Sequence, residues 1–187
     1  MHPTTLSLAA CTLLIPLSAF AEEHAAHEHG HGELNLAIDG QQLLIELHAP
    51  AADVIGFEHP PRNAKEQQQQ AQALESLQHA DRLFVLPAAA GCQLQQQQVQ
   101  ASHEAEPEPA SAAAQTRQPA AEHDAAHQHS DIQAEYAFHC QHPTELNRLT
   151  LTLFAHYPTL EKVSLQAIVP GTPDRSELSA SQPTLQW

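Results

Sequence analysis

Residues 22–33 read EEHAAHEHGHGE and place His24, His27, His29 and His31 among four carboxylates, with no lysine or arginine to neutralise them. Neutral imidazole nitrogens and carboxylate oxygens are ligands of Zn(II), which usually takes four donors in a tetrahedron. A run of this kind therefore supplies several donors without needing a precise fold. His27, His29 and His31 recur at period two, on the odd positions that Glu33 and Asn35 also occupy. An extended backbone would aim them together, away from the leucines that follow. A second run, AEHDAAHQHS, sets His123 and His127 one helical turn apart and His127 and His129 two residues apart. Each cluster offers two or three ligands. The competing reading of either run is low-complexity drift in a solvated tail, and two separate clusters in one acidic chain argue against it.

The charge agrees with a cation as partner. The 187 residues carry 22 acidic against 7 basic side chains, a formal net charge of -15, and 15 histidines. Nucleic acid is excluded as a partner, because neutralising its phosphates takes clustered cations that this chain lacks. No GxSxG, no phosphate-cradling glycine loop and no HExxH occurs, and only 6 glycines serve the whole chain. The sequence therefore indicates a binding protein and no enzyme.

Residues 1–21, MHPTTLSLAACTLLIPLSAFA, hold a short apolar run that ends in Ala19-Phe20-Ala21, a small-x-small pattern before the acidic Glu22. This is the layout of a cleavable secretory signal, although the usual basic residue at its front is missing. The run is too short to span a bilayer and Pro16 interrupts it. Residues 22–187 are then a single domain of ordinary size. Of the 3 cysteines, Cys11 leaves with the signal, so the exported chain keeps Cys92 and Cys140. Such a pair is most simply a disulfide, since two thiols alone make an incomplete zinc site.

The elements that must position these groups follow from periodicity. Residues 33–39, ELNLAID, alternate with Leu34, Leu36 and Ile38 on one face. Asp39-Gly40 supplies a hairpin turn into a second strand with Leu43, Ile45 and Leu47 on one face, so the two should pair antiparallel. AADVIGFEHPP is a short helical or loop passage closed by prolines. Asn63 with Glu66 has the spacing of a helix N-cap and its partner, opening an amphipathic helix with Ala73, Leu74, Leu77 and Ala80 as its apolar stripe. CQLQQQQVQ, beginning at Cys92, is a polar strand whose register the pattern scarcely specifies. Residues 101–130 are rich in Ala, Pro, Glu, Gln and His with almost no large apolar side chain, the composition of a disordered insertion.

Beyond it, Ile132, Ala134, Tyr136, Phe138 and Cys140 alternate on one face of a strand. Leu149, Leu151 and Leu153 mark another strand, and Val163, Leu165, Ala167 and Val169 a third. A Cys92–Cys140 bridge would staple the strand entering the insertion to the strand leaving it. The expected class is α+β: a mostly antiparallel β-sheet, one main amphipathic helix and a His-rich insertion.

Taken in order, HEHGHGELNLAIDG, PAADVIGFEHPP, the His-rich insertion, HSDIQAEYAFHC and LTLTLFAHYPTLEKVSLQAIVPG resemble the ZrgA-type periplasmic proteins associated with zinc uptake. The resemblance covers nearly the whole chain after the signal. It implies a zinc-binding accessory protein of the Gram-negative periplasm, working alongside a ZnuABC-type importer or its solute-binding protein. It also implies that Glu58 and His59 of GFEH are ordered ligands meeting His29 or His31, where the residues alone read equally well as a loop anchored by Phe57. Two alternatives stand beside zinc uptake. One is a buffer for nickel or copper, since imidazole accepts both; the other is a protein-interaction module with bystander histidines.

Overall fold

The structure is a computed structural model and describes residues 28–103, 130–169 and 175–187. The expected signal segment and most of the expected insertion lie outside the described residues. Clean two-residue alternation makes the hairpin of β1 (His31–Asp39) and β2 (Gln42–Pro50). Its tight turn places Gly40 at φ +57, a conformation that glycine adopts without cost. The strands pair antiparallel as expected, with Leu34 opposite Leu47 and Leu36 opposite Ile45, all four buried. Each such leucine removed from water contributes roughly 1.5–3 kcal/mol. Glu33, Asn35, Glu46 and His48 take the other face.

After Pro50 the chain forms α1 (Ala51–Val54), α2 (Ala64–Leu77), α3 (Ala80–Leu83) and β3 (Phe84–Val85), and then β4 (Cys92–His103) and β5 (Ser130–Cys140). β6 (Arg148–Leu151), α4 (Leu153–His156), β7 (Lys162–Ile168), β8 (Arg175–Ser179) and β9 (Thr184–Gln186) complete it. Among the described residues the strands form a six-stranded sheet in the order β4-β5-β2-β1-β7-β8 and a three-stranded sheet in the order β3-β6-β9. The architecture is thus the expected α+β, mostly antiparallel, with α2 as its one longer helix. Among the described residues no helix is long and apolar enough to cross a membrane.

The helix cap falls where its spacing predicts. The Asn63 side chain accepts the Glu66 N–H at 3.0 Å, and Glu66 accepts the Arg62 N–H at 2.6 Å. The Arg62 N–H beside Glu66 holds its carboxyl below the usual glutamate range. At the helix's other end the buried Tyr136 of β5 donates its hydroxyl to the Leu77 carbonyl at 2.7 Å, seating α2 on the inner face of the larger sheet.

β7 runs parallel to β1, with Leu34 opposite Leu165, a direction that alternation leaves open. The strand holding Leu149 and Leu151 ends there, and Leu153 instead opens α4 as a buried residue. Strand pairing reaches into both ends of the expected insertion, since Ala101, Ser102 and His103 continue β4 opposite Ile132, Asp131 and Ser130. Backbone pairing and the packing of Ala101 against the core carry the strand on after its large apolar side chains stop. The uncertain register of β4 has a specific resolution. A β-bulge between Leu94 and Gln96 absorbs one residue, which puts Leu94 and Val99, five positions apart, on the same side of the strand.

Cys92 and Cys140 stand directly opposite each other and form the expected disulfide. The bond closes a sequence separation of 48, and loop-closure entropy for a ring of that size is worth about 4 kcal/mol in the chain-entropy account. A disulfide of this kind fits an exported protein.

Candidate metal centre

One end of the larger sheet gathers the start of β1, the end of β2, the start of β5 and the start of β7, as the registers Glu33↔His48, Ala49↔Ile132 and His31↔Lys162 require. The chain arrives there through a tight turn, with the His31 N–H bonding the Glu28 carbonyl at 3.1 Å and Gly30 at φ +80. A positive φ at the third residue of a turn is a glycine position. A Cβ on Gly30 would also come within 3.3 Å of the Thr159 carbonyl. This turn overrides the extended backbone expected at His29, whereas His31 is extended as the first residue of β1. His29 sits in the turn and His31 opens the strand, so the period-two spacing does not aim them together.

Hydrogen bonds hold the turn from both sides. The Gly30 N–H donates to Asp53 Oδ2 at 2.6 Å, and the Gly30 carbonyl accepts the Glu161 and Lys162 N–H groups at 2.8 and 2.9 Å. The Thr159 hydroxyl donates to the Asp53 carbonyl at 2.9 Å, tying the turn before β7 to α1. Asp53 is 8% exposed. Burial pushes its carboxyl up, against the pull of the Gly30 N–H and the His29 imidazole, and Glu58 and Glu161 push it further up.

The turn delivers His29 to Glu58, with Nε2 to Oε1 at 2.7 Å. Glu58 belongs to the GFEH segment, which other contacts hold in place. The Gln69 side chain donates to the Ile55 carbonyl, and Phe57 packs against the core. The Ser130 hydroxyl donates to the Glu58 carbonyl, so the first residue of β5 touches the same segment. His31 turns to Ser164 of β7, Nε2 to Oγ at 2.7 Å, with its Nδ1 3.6 Å from Glu28. His59 stacks on Phe57 with ring centroids 5.0 Å apart, and its Nδ1 lies 3.0 Å from the Pro60 carbonyl and 3.9 Å from Glu66.

Of the expected ligands, the structure therefore brings His29 and Glu58 together and sends His31 and His59 to other neighbours. His24, His27, His123, His127 and His129 lie outside the described residues. Among the described residues no three His, Cys, Asp or Glu side chains are grouped to hold a metal ion. The His29–Glu58 pair lies beside the carboxyls of Asp53 and Glu161, which makes its surround negative. Such a surround favours cations. Sequence reasoning missed Asp53 and Glu161. Asp53 follows two alanines in a one-turn helix with no motif to mark it, and nothing in the sequence announces that Gly30 needs an acceptor.

No curated protein matches the chain. The sequence model of a family described as ZrgA family zinc uptake protein matches residues 26–187.

Proposed function

The chain belongs to the ZrgA family of zinc uptake proteins, and on that premise we propose that it is a periplasmic zinc-binding accessory protein that captures Zn(II) and hands it to an ABC-type importer or that importer's solute-binding protein. The observation that carries this reading is the meeting of His29 with Glu58 at 2.7 Å, at the end of the sheet where both histidine-rich segments attach. The first runs directly into the turn at Glu28. The second ends at His129, the residue before Ser130, whose hydroxyl bonds the Glu58 carbonyl.

In this account zinc is cargo. His29, His31, Glu58 and His59 offer donors at the sheet end, and His24, His27, His123, His127 and His129 complete the ligand set from the adjoining segments. The acidic excess concentrates divalent cations around them. Exchangeable imidazole ligands release metal faster than a closed four-ligand site would, which suits transfer to a partner. No reaction is assigned to the protein. Its disulfide suits export, as does the reading of residues 1–21 as a secretory signal.

Growth under zinc starvation tests the role. A strain lacking the chain should grow more slowly than its parent in zinc-depleted medium and recover when zinc is added. Equal growth of the two strains would contradict uptake. Sensitivity to excess nickel or copper without any zinc phenotype would replace uptake with detoxification.

A further inference from the structure

Two donor atoms bound to one tetrahedral zinc at about 2.0–2.1 Å each must lie about 3.3–3.4 Å apart. His29 Nε2 and Glu58 Oε1 are 2.7 Å apart, too close for ligands of one ion and normal for a charge-assisted hydrogen bond. The two groups also differ in exposure. The Glu58 side chain is 18% exposed, whereas the His29 imidazole is 61% exposed. The carboxylate is the inner member of the pair and the imidazole the outer one.

A neutral imidazole carries one proton. If Nε2 keeps it to donate to Glu58, Nδ1 holds the lone pair. Among the described residues no hydrogen bond engages the Nδ1 of His29, and a zinc-ligating histidine commonly gives its second nitrogen to a carboxylate that fixes the ring. We infer that Glu58 is a positioning residue: it accepts the Nε2–H of His29 and so presents Nδ1 as the atom that takes zinc. The Asp53 carboxylate and the Glu161 and Lys162 N–H groups grip the Gly30 backbone and hold the turn that carries the ring. This inference rests on the zinc-binding reading above and alters it in one respect, since Glu58 moves from the ligands to the group behind one.

The test uses the full chain from residue 22, selectively labelled with nitrogen-15 in its histidines and titrated with zinc at pH 7.5. Long-range proton–nitrogen spectra then report which imidazole nitrogen binds. The expected result is that zinc shifts Nδ1 of His29 while Nε2 keeps its proton. Glu58→Gln, whose side-chain oxygen still accepts that proton, should retain more affinity than Glu58→Ala, for which a loss of about 10–100-fold is expected. Zinc on Nε2 of His29 would leave Glu58 no proton to accept, and equal losses in Glu58→Gln and Glu58→Ala would make Glu58 a direct ligand; either result would overturn the inference. Zinc bound with no change at His29 would overturn it too while leaving the proposed function standing. No zinc bound at all would remove both.

Discussion

At Cys140 strand β5 is joined to β4 by a covalent bond, and at Ser130, its other end, it meets the Glu58 segment through a hydroxyl hydrogen bond. The two ends do different work. The disulfide end is closed whatever the pH or metal supply. The Ser130 end is built from a glycine turn, a buried carboxylate and an imidazole–carboxylate pair, contacts that no covalent bond closes.

Separating the two ends by mutation is the strongest way to challenge this comparison. Replacing both cysteines, Cys92→Ala with Cys140→Ala, should cost about 4 kcal/mol of stability by loop-closure entropy. Chemical denaturation measures that loss. Zinc affinity, measured on the fraction still folded, should hold. A matching fall in zinc affinity would mean that the two ends are one unit and that the comparison fails.

The turn supplies the reciprocal experiment. Gly30 lies at φ +80, with a carbonyl 3.3 Å from where a Cβ would sit. Gly30→Ala should therefore lose roughly 1–2 kcal/mol from left-handed strain. Unlike the cysteine pair, it should also weaken zinc binding, because the same turn aims His29. Titration calorimetry beside a denaturation curve would show both effects or refute the link between them.

The smallest effect is a slope. Burial raises the Asp53 carboxyl in the folded chain, so the folded state holds that proton more tightly than the unfolded one. Its stabilising contribution is complete below about pH 4, the ordinary aspartate range, and is lost as pH rises through the folded value. Asp53→Asn should remove that decline. Thermal melts from pH 4 to pH 7 should give a flatter profile for the variant, and parallel profiles would place the carboxyl outside the linkage.

Much of this was legible in the residues. Leu34, Leu36, Ile45 and Leu47 alternate cleanly enough to define the first hairpin and its inner face. Asn63 and Glu66 announce their cap, and Cys92 and Cys140 were left as the sole pair. Strand direction and neighbours were hidden, because period two is the same for parallel and antiparallel partners. The β1–β7 pair and the small β3-β6-β9 sheet therefore had no signal. The bulge beside Leu94 was hidden too, since glutamines on both faces conceal a slipped register. The site was half readable. Glu58 could be matched to His29 through family resemblance, but Gly30, set among histidines, looked like spacing within a run when it is the hinge of the turn. Asp53 acts on a backbone N–H, which no side-chain pattern records.

The central claim, that imidazoles gathered at one end of the sheet bind zinc as cargo, is tested most directly by zinc titration of residues 22–187 against a competing chelator. It should be run at pH 7.5 and at pH 5, with wild type beside His29→Ala. The account predicts binding at pH 7.5, weaker binding in His29→Ala, and a collapse at pH 5, below the histidine range near 6.5, where protonated imidazole no longer coordinates. Zinc retained equally at both pH values, or not retained at all at pH 7.5, would contradict it.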